Sequence, residues 1–396
     1  MQSRIFEKCP LVLLAVSLAA GIVIVNYVPL PIPVLPLLAG MVLTACLLYR
    51  LSHVQSVTIV ACFLLLGMCV MQHQQQSPIE SHTISKLERS KSFFLEQRAV
   101  LLQRLAVSGL DADAYALVAA MALGDKSELS QDVKDTFAVS GASHVLALSG
   151  LHLGIIYMLL SLFLPRRRWP ALSQLVCILL VWAFVFLVGM SVSVVRSAVM
   201  LTVYGLLSLG HREKMSVNVL AFTAILMLLW QPTWLFDIGF QLSFMAVWAI
   251  LLFVPLLEDI FPASTLMAHR WLKWTWGMVA VSCAAQLGVA PLIAFYFGRF
   301  ATYFLLANFV VVPAAFVIIW LSLVSLAVPA LAYLLLYIVK FLHVVLYRIT
   351  ALPGASIEGL HPSVIQVVMI YVVIFCTYLL IRRIRPLLVW RASIRG

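Results

Sequence analysis

Long apolar runs separated by short polar ones fill most of this chain. A run of about 17–25 near-continuously apolar residues is long enough to cross a bilayer as a helix. On that criterion spans fall at residues 10–28, 33–49, 56–71, 143–164, 171–190, 192–209, 217–230, 238–257, 271–297, 303–328, 331–351 and 364–381. The pattern predicts an all-α polytopic membrane protein with about twelve transmembrane or re-entrant helices. One long polar stretch, residues 72–142, interrupts the series. Within it Phe94, Leu95, Leu101, Leu102 and Leu105 share one face of an amphipathic helix, opposite Glu96, Gln97, Gln103 and Arg104. Asp111 or Asp113 is placed to cap a helix from Tyr115 toward Leu123, Gly124-Asp125-Lys126 reads as a turn, and Leu129, Val133 and Phe137 mark a second amphipathic helix. Such helices either lie along the membrane surface or pack on the outer ends of the spans. The expected organisation is N-terminal spans (1–71), an extracytoplasmic helical segment (72–142), a main membrane domain (143–383) and a basic cytoplasmic tail (384–396).

Composition agrees. Hydrophobic residues make up 64% of the 396 and charged residues 10%, with a mean hydropathy of +1.08. A soluble domain is about half apolar and a quarter charged, so that class is excluded. The net charge of +11 has two readings, nucleic-acid binding or the excess of Lys and Arg in cytoplasmic loops. With Arg4 and Lys8 inside, the clusters Arg166-Arg167-Arg168, His211-Arg212-Glu213-Lys214, His269-Arg270 with Lys273, and Arg382-Arg383-Ile384-Arg385 all fall on one side. That alignment predicts N-terminus and C-terminus inside and accounts for much of the charge. The seven cysteines are scattered, without zinc spacing, and no Walker-type glycine loop occurs. No metal, cofactor or ATP hydrolysis is expected.

Polar residues inside the apolar runs carry the candidate chemistry, because burying them in hydrocarbon is costly unless they meet a partner helix or water. In the 143–164 run Ser149 and His152 share a helical face, His144 lies just over one turn earlier, and Gly150 and Gly154 suit close approach of a neighbouring backbone. Arg196 stands inside the 192–209 run on a stripe with Ser193, Met200 and Tyr204. It requires a counter-charge such as Asp237, a route to the interface, or an anionic ligand suited to its planar fork. Asp237 and Gln241 are four apart, with Phe244, Met245 and Trp248 continuing that side. Gln286 precedes Pro291 and Asn308 precedes Pro313, and a proline that kinks or breaks a span is a common way to open a substrate path.

Taken in order, several of these segments resemble the competence domain of the ComEC family. They are Gly124-Asp125-Lys126, then Ser140-Gly141-Ala142-Ser143-His144-Val145-Leu146-Ala147-Leu148-Ser149-Gly150-Leu151-His152-Leu153-Gly154, Arg196-Ser197-Ala198-Val199-Met200, Asp237-Ile238-Gly239-Phe240-Gln241-Leu242-Ser243, Ala285-Gln286-Leu287-Gly288-Val289-Ala290-Pro291 and Ala307-Asn308-Phe309-Val310-Val311-Val312-Pro313. The resemblance implies a channel in the lipid bilayer that passes single-stranded DNA into the cytoplasm during natural transformation. It also implies an outer DNA-receptor protein and a cytoplasmic DNA-pulling ATPase as partners. His144, Ser149, His152, Arg196, Asp237, Gln241, Gln286 and Asn308 then become candidates for lining the path. Phe240, Phe244 and Trp248 are either stacking platforms for bases or ordinary packing. The outer OB-like and metallo-β-lactamase-like domains of many family members have no counterpart in the pattern, so a separate nuclease is expected to degrade the second strand.

Two other classes stay open. One is a small-solute or lipid transporter, or a scaffold, on the same fold. The other is an intramembrane serine hydrolase, since Ala147-Leu148-Ser149-Gly150 resembles the Gly-x-Ser-Gly of rhomboid proteases and His343 is available as a base.

Overall fold

The computed structural model describes residues 9–28, 33–47, 51–76, 81–164, 168–209, 217–326 and 328–395. The expected topological markers Arg4, Lys8, Arg166, Arg167 and the cluster His211, Arg212, Glu213 and Lys214 lie outside the described residues. The fold is all-α and polytopic. Every apolar run contains a helix, and among the described residues eight helices are long and apolar enough to cross a membrane. The runs at 33–49, 143–164, 192–209 and 217–230 instead hold shorter apolar helices. The chain forms two compact units, residues 1–97 with 160–241, and residues 98–159 with 242–396.

In the first unit, helices α1 (Pro10–Tyr27), α2 (Leu35–Leu47) and α3 (Ser52–Gln76) come first, and α1 packs along α3. Small residues set that crossing. A Cβ on Gly21 would collide with the carbonyl oxygen of Leu64, and one on Gly67 with that of Leu18, so the two backbones touch directly. Gln72 lies within α3 rather than in a loop, and its buried side chain accepts the Val34 N–H at 3.0 Å. Helix α4 (Ser81–Ala106) begins in this unit, where Phe94 stacks on Phe186. Then come α9 (Pro170–Leu187), α10 (Val192–Leu209) and α11 (Val217–Trp230), packed in sequence, with α11 also against α1. The Trp182 indole N–H donates to Thr202 at 3.0 Å, tying α9 to α10. A 3-10 turn, Pro232–Phe236, closes the unit.

In the second unit, α5 (Ala112–Leu123) is capped by Asp111, whose carboxylate accepts the Ala114 N–H at 3.0 Å, and ends at Gly124 with φ 72°. Asp111, not Asp113, is therefore the cap. Helix α5 is buried almost all round, and it packs with α6 (Gln131–Val139) against α15 (Phe304–Ser325) and α16 (Ala332–Thr350). Of the two readings for this segment, packing on the spans describes α5 and α6; a helix this apolar on every face has no side to give to water. The Gly124-Asp125-Lys126 turn holds itself, Asp125 accepting from the Ser127 N–H and hydroxyl and pairing with Arg98 at 3.6 Å.

The 143–164 run is not one helix. It splits into α7 (Ser143–Leu146) and α8 (Gly150–Phe163), with Ala147 extended between them. Helix α12 (Ile238–Glu258), the short α13 (Ala263–Ala268), α14 (Arg270–Phe297) and α17 (Val364–Arg395) complete the helices. The prolines do not break theirs: Pro291 lies within α14 and Pro313 within α15. Next to Pro291 the Tyr371 hydroxyl donates to the Gly288 carbonyl at 2.7 Å, a neighbouring helix supplying a donor where the proline ring disturbs the ladder. A two-stranded antiparallel pair, β1 (Arg299–Ala301) and β2 (Ser356–Glu358), joins two loops, with Phe300 opposite Ile357.

Candidate functional site

Three of the candidate residues meet in the first unit. Arg196, on the second turn of α10, is only 2% exposed. One terminal nitrogen lies 3.5 Å from Asp237 Oδ1, the other donates to the Ser193 hydroxyl at 3.3 Å, and Nε has no partner. Asp237 is the N-cap of α12, its Oδ1 accepting the Phe240 N–H at 2.7 Å. The same oxygen therefore serves both the helix end and the guanidinium. Gly239 makes room: a Cβ there would sit 3.1 Å from Asp237 Oδ1 and 3.5 and 3.6 Å from the two terminal nitrogens of Arg196. Gln241 folds back to donate to the Leu235 carbonyl at 3.0 Å, fixing the turn that delivers Asp237. The counter-charge expectation for Arg196 holds, yet the pair is long. The positive end of the α12 dipole adds to the guanidinium, so one carboxylate faces two cationic features. An arginine at the centre of a span costs roughly 2.5–3.5 kcal/mol on insertion scales; Arg196 stands one turn inside its helix, with only part of its fork satisfied.

His144, Ser149 and His152 meet in the second unit, but not as a continuous helical face. Ser149 occupies the N-cap position of α8, where the Leu153 N–H bonds its carbonyl at 3.3 Å. His152, three residues on, takes the Ser149 N–H onto Nδ1 at 3.4 Å, and the Ser149 hydroxyl lies 3.2 Å from the same nitrogen. This is one half of a capping box, the N3 side chain taking the N-cap N–H, with histidine in the place usually held by Glu or Gln. Because Nδ1 accepts, Nε2 carries the proton of the neutral ring; it is buried and without a partner. His144 has the opposite tautomer, Nδ1 donating to the Gly141 carbonyl at 3.2 Å. Gly141 is required twice over. Its φ is 82°, and a Cβ would stand 2.8 Å from that of Ala301.

Two expectations for this segment change. A Cβ at Gly154 would meet nothing within 4 Å, so no backbone packs there. Ser143, His144 and Gly150 are exposed. Gln286 and Asn308 are also in this unit, half-buried on α14 and α15, the Asn308 carbonyl oxygen without a partner. Phe240 is 4% exposed and belongs to the core rather than to a stacking surface, while Phe244 and Trp248 remain half-buried.

Sequence patterns had not pointed to two further features. Lys340, midway along α16, pairs with Asp111 at 2.7 Å; the signal was a lone lysine in an apolar run. A cavity of about 750 Å³ opens along α14 between Arg270 and Ser282, foreshadowed only by the helical spacing of Arg270, Lys273, Trp274 and Gly277.

Comparison with known proteins bears on most of these residues together. The family model described as "Competence protein" matches residues 121–384. The chain belongs to the ComEC-type competence protein family. The ComE operon protein 3 of Bacillus subtilis is 29% identical over 210 residues, 52% of this chain and 25% of that protein. An uncharacterised Aquifex aeolicus protein is 38% identical over 169 residues, 43% of this chain and 37% of its own length. Recombination protein 2 of Haemophilus influenzae is 23% identical over 227 residues, 54% of this chain and 29% of that protein. The chain thus spans between a quarter and somewhat over a third of these relatives. No solved structure matches. All eight candidate lining residues fall inside the family match.

Proposed function

We propose that this chain is a membrane path for one strand of DNA, acting in competence DNA uptake in the cytoplasmic membrane with both termini inside. The observation that carries the reading is Arg196: a guanidinium buried one turn inside an apolar helix, shared between a serine and a 3.5 Å carboxylate, with one nitrogen unpartnered. A phosphodiester entering beside it would complete the fork, and the adjacent helix N-terminus favours the same anion. The exposed Ser143, His144 and Gly150 add a wettable surface of the kind a polyanion needs. The partners proposed are single-stranded DNA, an outer DNA-receptor protein, a cytoplasmic DNA-pulling ATPase and a separate nuclease.

The non-enzymatic reading is favoured because Ser149 is engaged through His152 as a helix cap, while His343 Nε2 has no partner. That leaves the Ser149–His343 pair of the hydrolase alternative unformed, and the chain should stay inert to fluorophosphonate probes. The deciding experiment follows labelled DNA into the cytoplasm of a gene-deletion strain complemented with wild type, Arg196→Lys or Arg196→Ala, with membrane level checked for each. The expected order is wild type, then Lys, then Ala at background. Normal uptake by Arg196→Ala would end the proposal, and solute transport without DNA would favour the transporter class.

A further inference from the structure

The cavity on α14 is built with polarity at one end. Arg270, Lys273, Trp274, Gly277, Met278 and Val281 follow one another at helical spacing along a single face. The two cations stand at the start of the helix, both exposed, and no ion pair engages either among the described residues. Below them the wall is apolar, closed by Leu266 and Met267 of α13 and by Val312 of α15, with Ser282 its polar exception. No acidic residue lines it. The floor is open at Gly277, where an added Cβ would meet nothing within 4 Å. Trp271 and Trp274 are exposed beside the cations, as amphipathic rings are at a membrane–water boundary.

We propose that this cavity is a binding site for an anionic phospholipid, with the phosphate held by Arg270 and Lys273 and an acyl chain laid past Gly277 toward Val281. Charge complementarity selects the ligand. A phospholipid has one anionic group and long apolar tails, matching a cavity with two cations at one end and hydrocarbon walls beyond. A DNA strand carries a charge at every nucleotide and would leave most of its phosphates against apolar wall. The Arg270 fork and Lys273 point charge are the usual pair for a phosphate, and basic pockets between membrane helices recognise lipid head groups in this way. The volume, about 750 Å³, is that of an ordinary small-ligand site, roughly 300–1,000 Å³. The inference rests on this geometry alone and is independent of the DNA path at Arg196.

The test is native mass spectrometry of the full chain released from detergent with added phosphatidylglycerol or phosphatidylcholine. Wild type should retain phosphatidylglycerol preferentially. Replacing both cations, Arg270→Gln with Lys273→Gln, should weaken that retention about tenfold or more. Gly277→Leu fills the open floor without touching either cation and should also reduce it, with thermal unfolding reporting that this variant is folded. Equal retention of both lipids by wild type, or unchanged retention in both variants, would overturn the proposal. So would displacement of phosphatidylglycerol by a single-stranded oligonucleotide, which would give the groove to nucleic acid.

Discussion

Arg196 and Asp237 share one carboxylate oxygen with the first turn of α12: Oδ1 lies 2.7 Å from the Phe240 amide nitrogen and 3.5 Å from the guanidinium. The shorter bond belongs to the helix cap. Asp237 is thus held by the backbone, and Arg196 approaches a carboxylate already placed. Such an arrangement fixes the anion while leaving the cation free to exchange partners.

Cap and charge can be separated by substitution. Asp237→Asn keeps a good cap and removes the counter-charge, whereas Asp237→Ala loses both. Asparagine should therefore unfold at a lower temperature than wild type, and alanine lower still by about 1 kcal/mol, the usual worth of a cap. Breaking a fully buried pair costs about 3–5 kcal/mol, but Asp237 is 42% exposed, so the asparagine penalty should fall below that range. Thermal unfolding in detergent reads both.

Two glycines on helices should respond in opposite ways to alanine. Gly154 is in the interior of α8 with empty space where a Cβ would go, so Gly154→Ala should stabilise by about 0.5–1 kcal/mol. Gly239 lies beside the ion pair, and a methyl at 3.1 Å from Asp237 Oδ1 must push the carboxylate aside. Gly239→Ala should forfeit that gain and lower DNA uptake along with stability. Equal effects from the two substitutions would mean that Gly239 has no spacing role.

Bilayer thickness explains what was legible. A span must be apolar over its length, so each apolar run contained a helix, and the Arg196–Asp237 pairing could be anticipated because a lone arginine at that depth demands a counter-charge. The break at residues 147–149 was hidden for a related reason. Ala147 and Leu148 are apolar, and the cap signal at Ser149 is completed by a histidine rather than by Glu or Gln. Pro291 and Pro313 drew attention to helices that run on unbroken, since neighbouring groups such as Tyr371 compensate. The burial of α5 and the Asp111–Lys340 pair depend on contacts between segments far apart in the chain, which local patterning does not encode.

That pair makes a pH prediction. The Lys340 ammonium, hydrogen-bonded to the Asp111 carboxylate, holds its pKa below the ordinary value of 3.8. A depressed carboxylate pKa means stability that is present above the ordinary value and lost as pH falls through the lower folded-state value. Asp111→Asn retains the cap on α5 and should lower the unfolding temperature at neutral pH by removing the counter-charge of Lys340. The cost should shrink in acid until wild type and variant unfold together. A difference independent of pH would assign it to the cap alone.

The capping-box geometry at Ser149 and His152 predicts which replacement α8 tolerates. Glutamine is an ordinary third residue of a capping box and can take the Ser149 N–H onto its amide oxygen. His152→Gln should therefore keep the break between α7 and α8 and cost less stability than His152→Ala. His152→Ala loses the acceptor and leaves a void where a fully buried ring stood, so it should cost more than the roughly 0.5–2 kcal/mol of a cap alone. Transformation then separates structure from chemistry. A glutamine variant that is stable yet fails to import DNA would show that the imidazole Nε2–H does more than fill space, whereas full uptake would make His152 a scaffold residue.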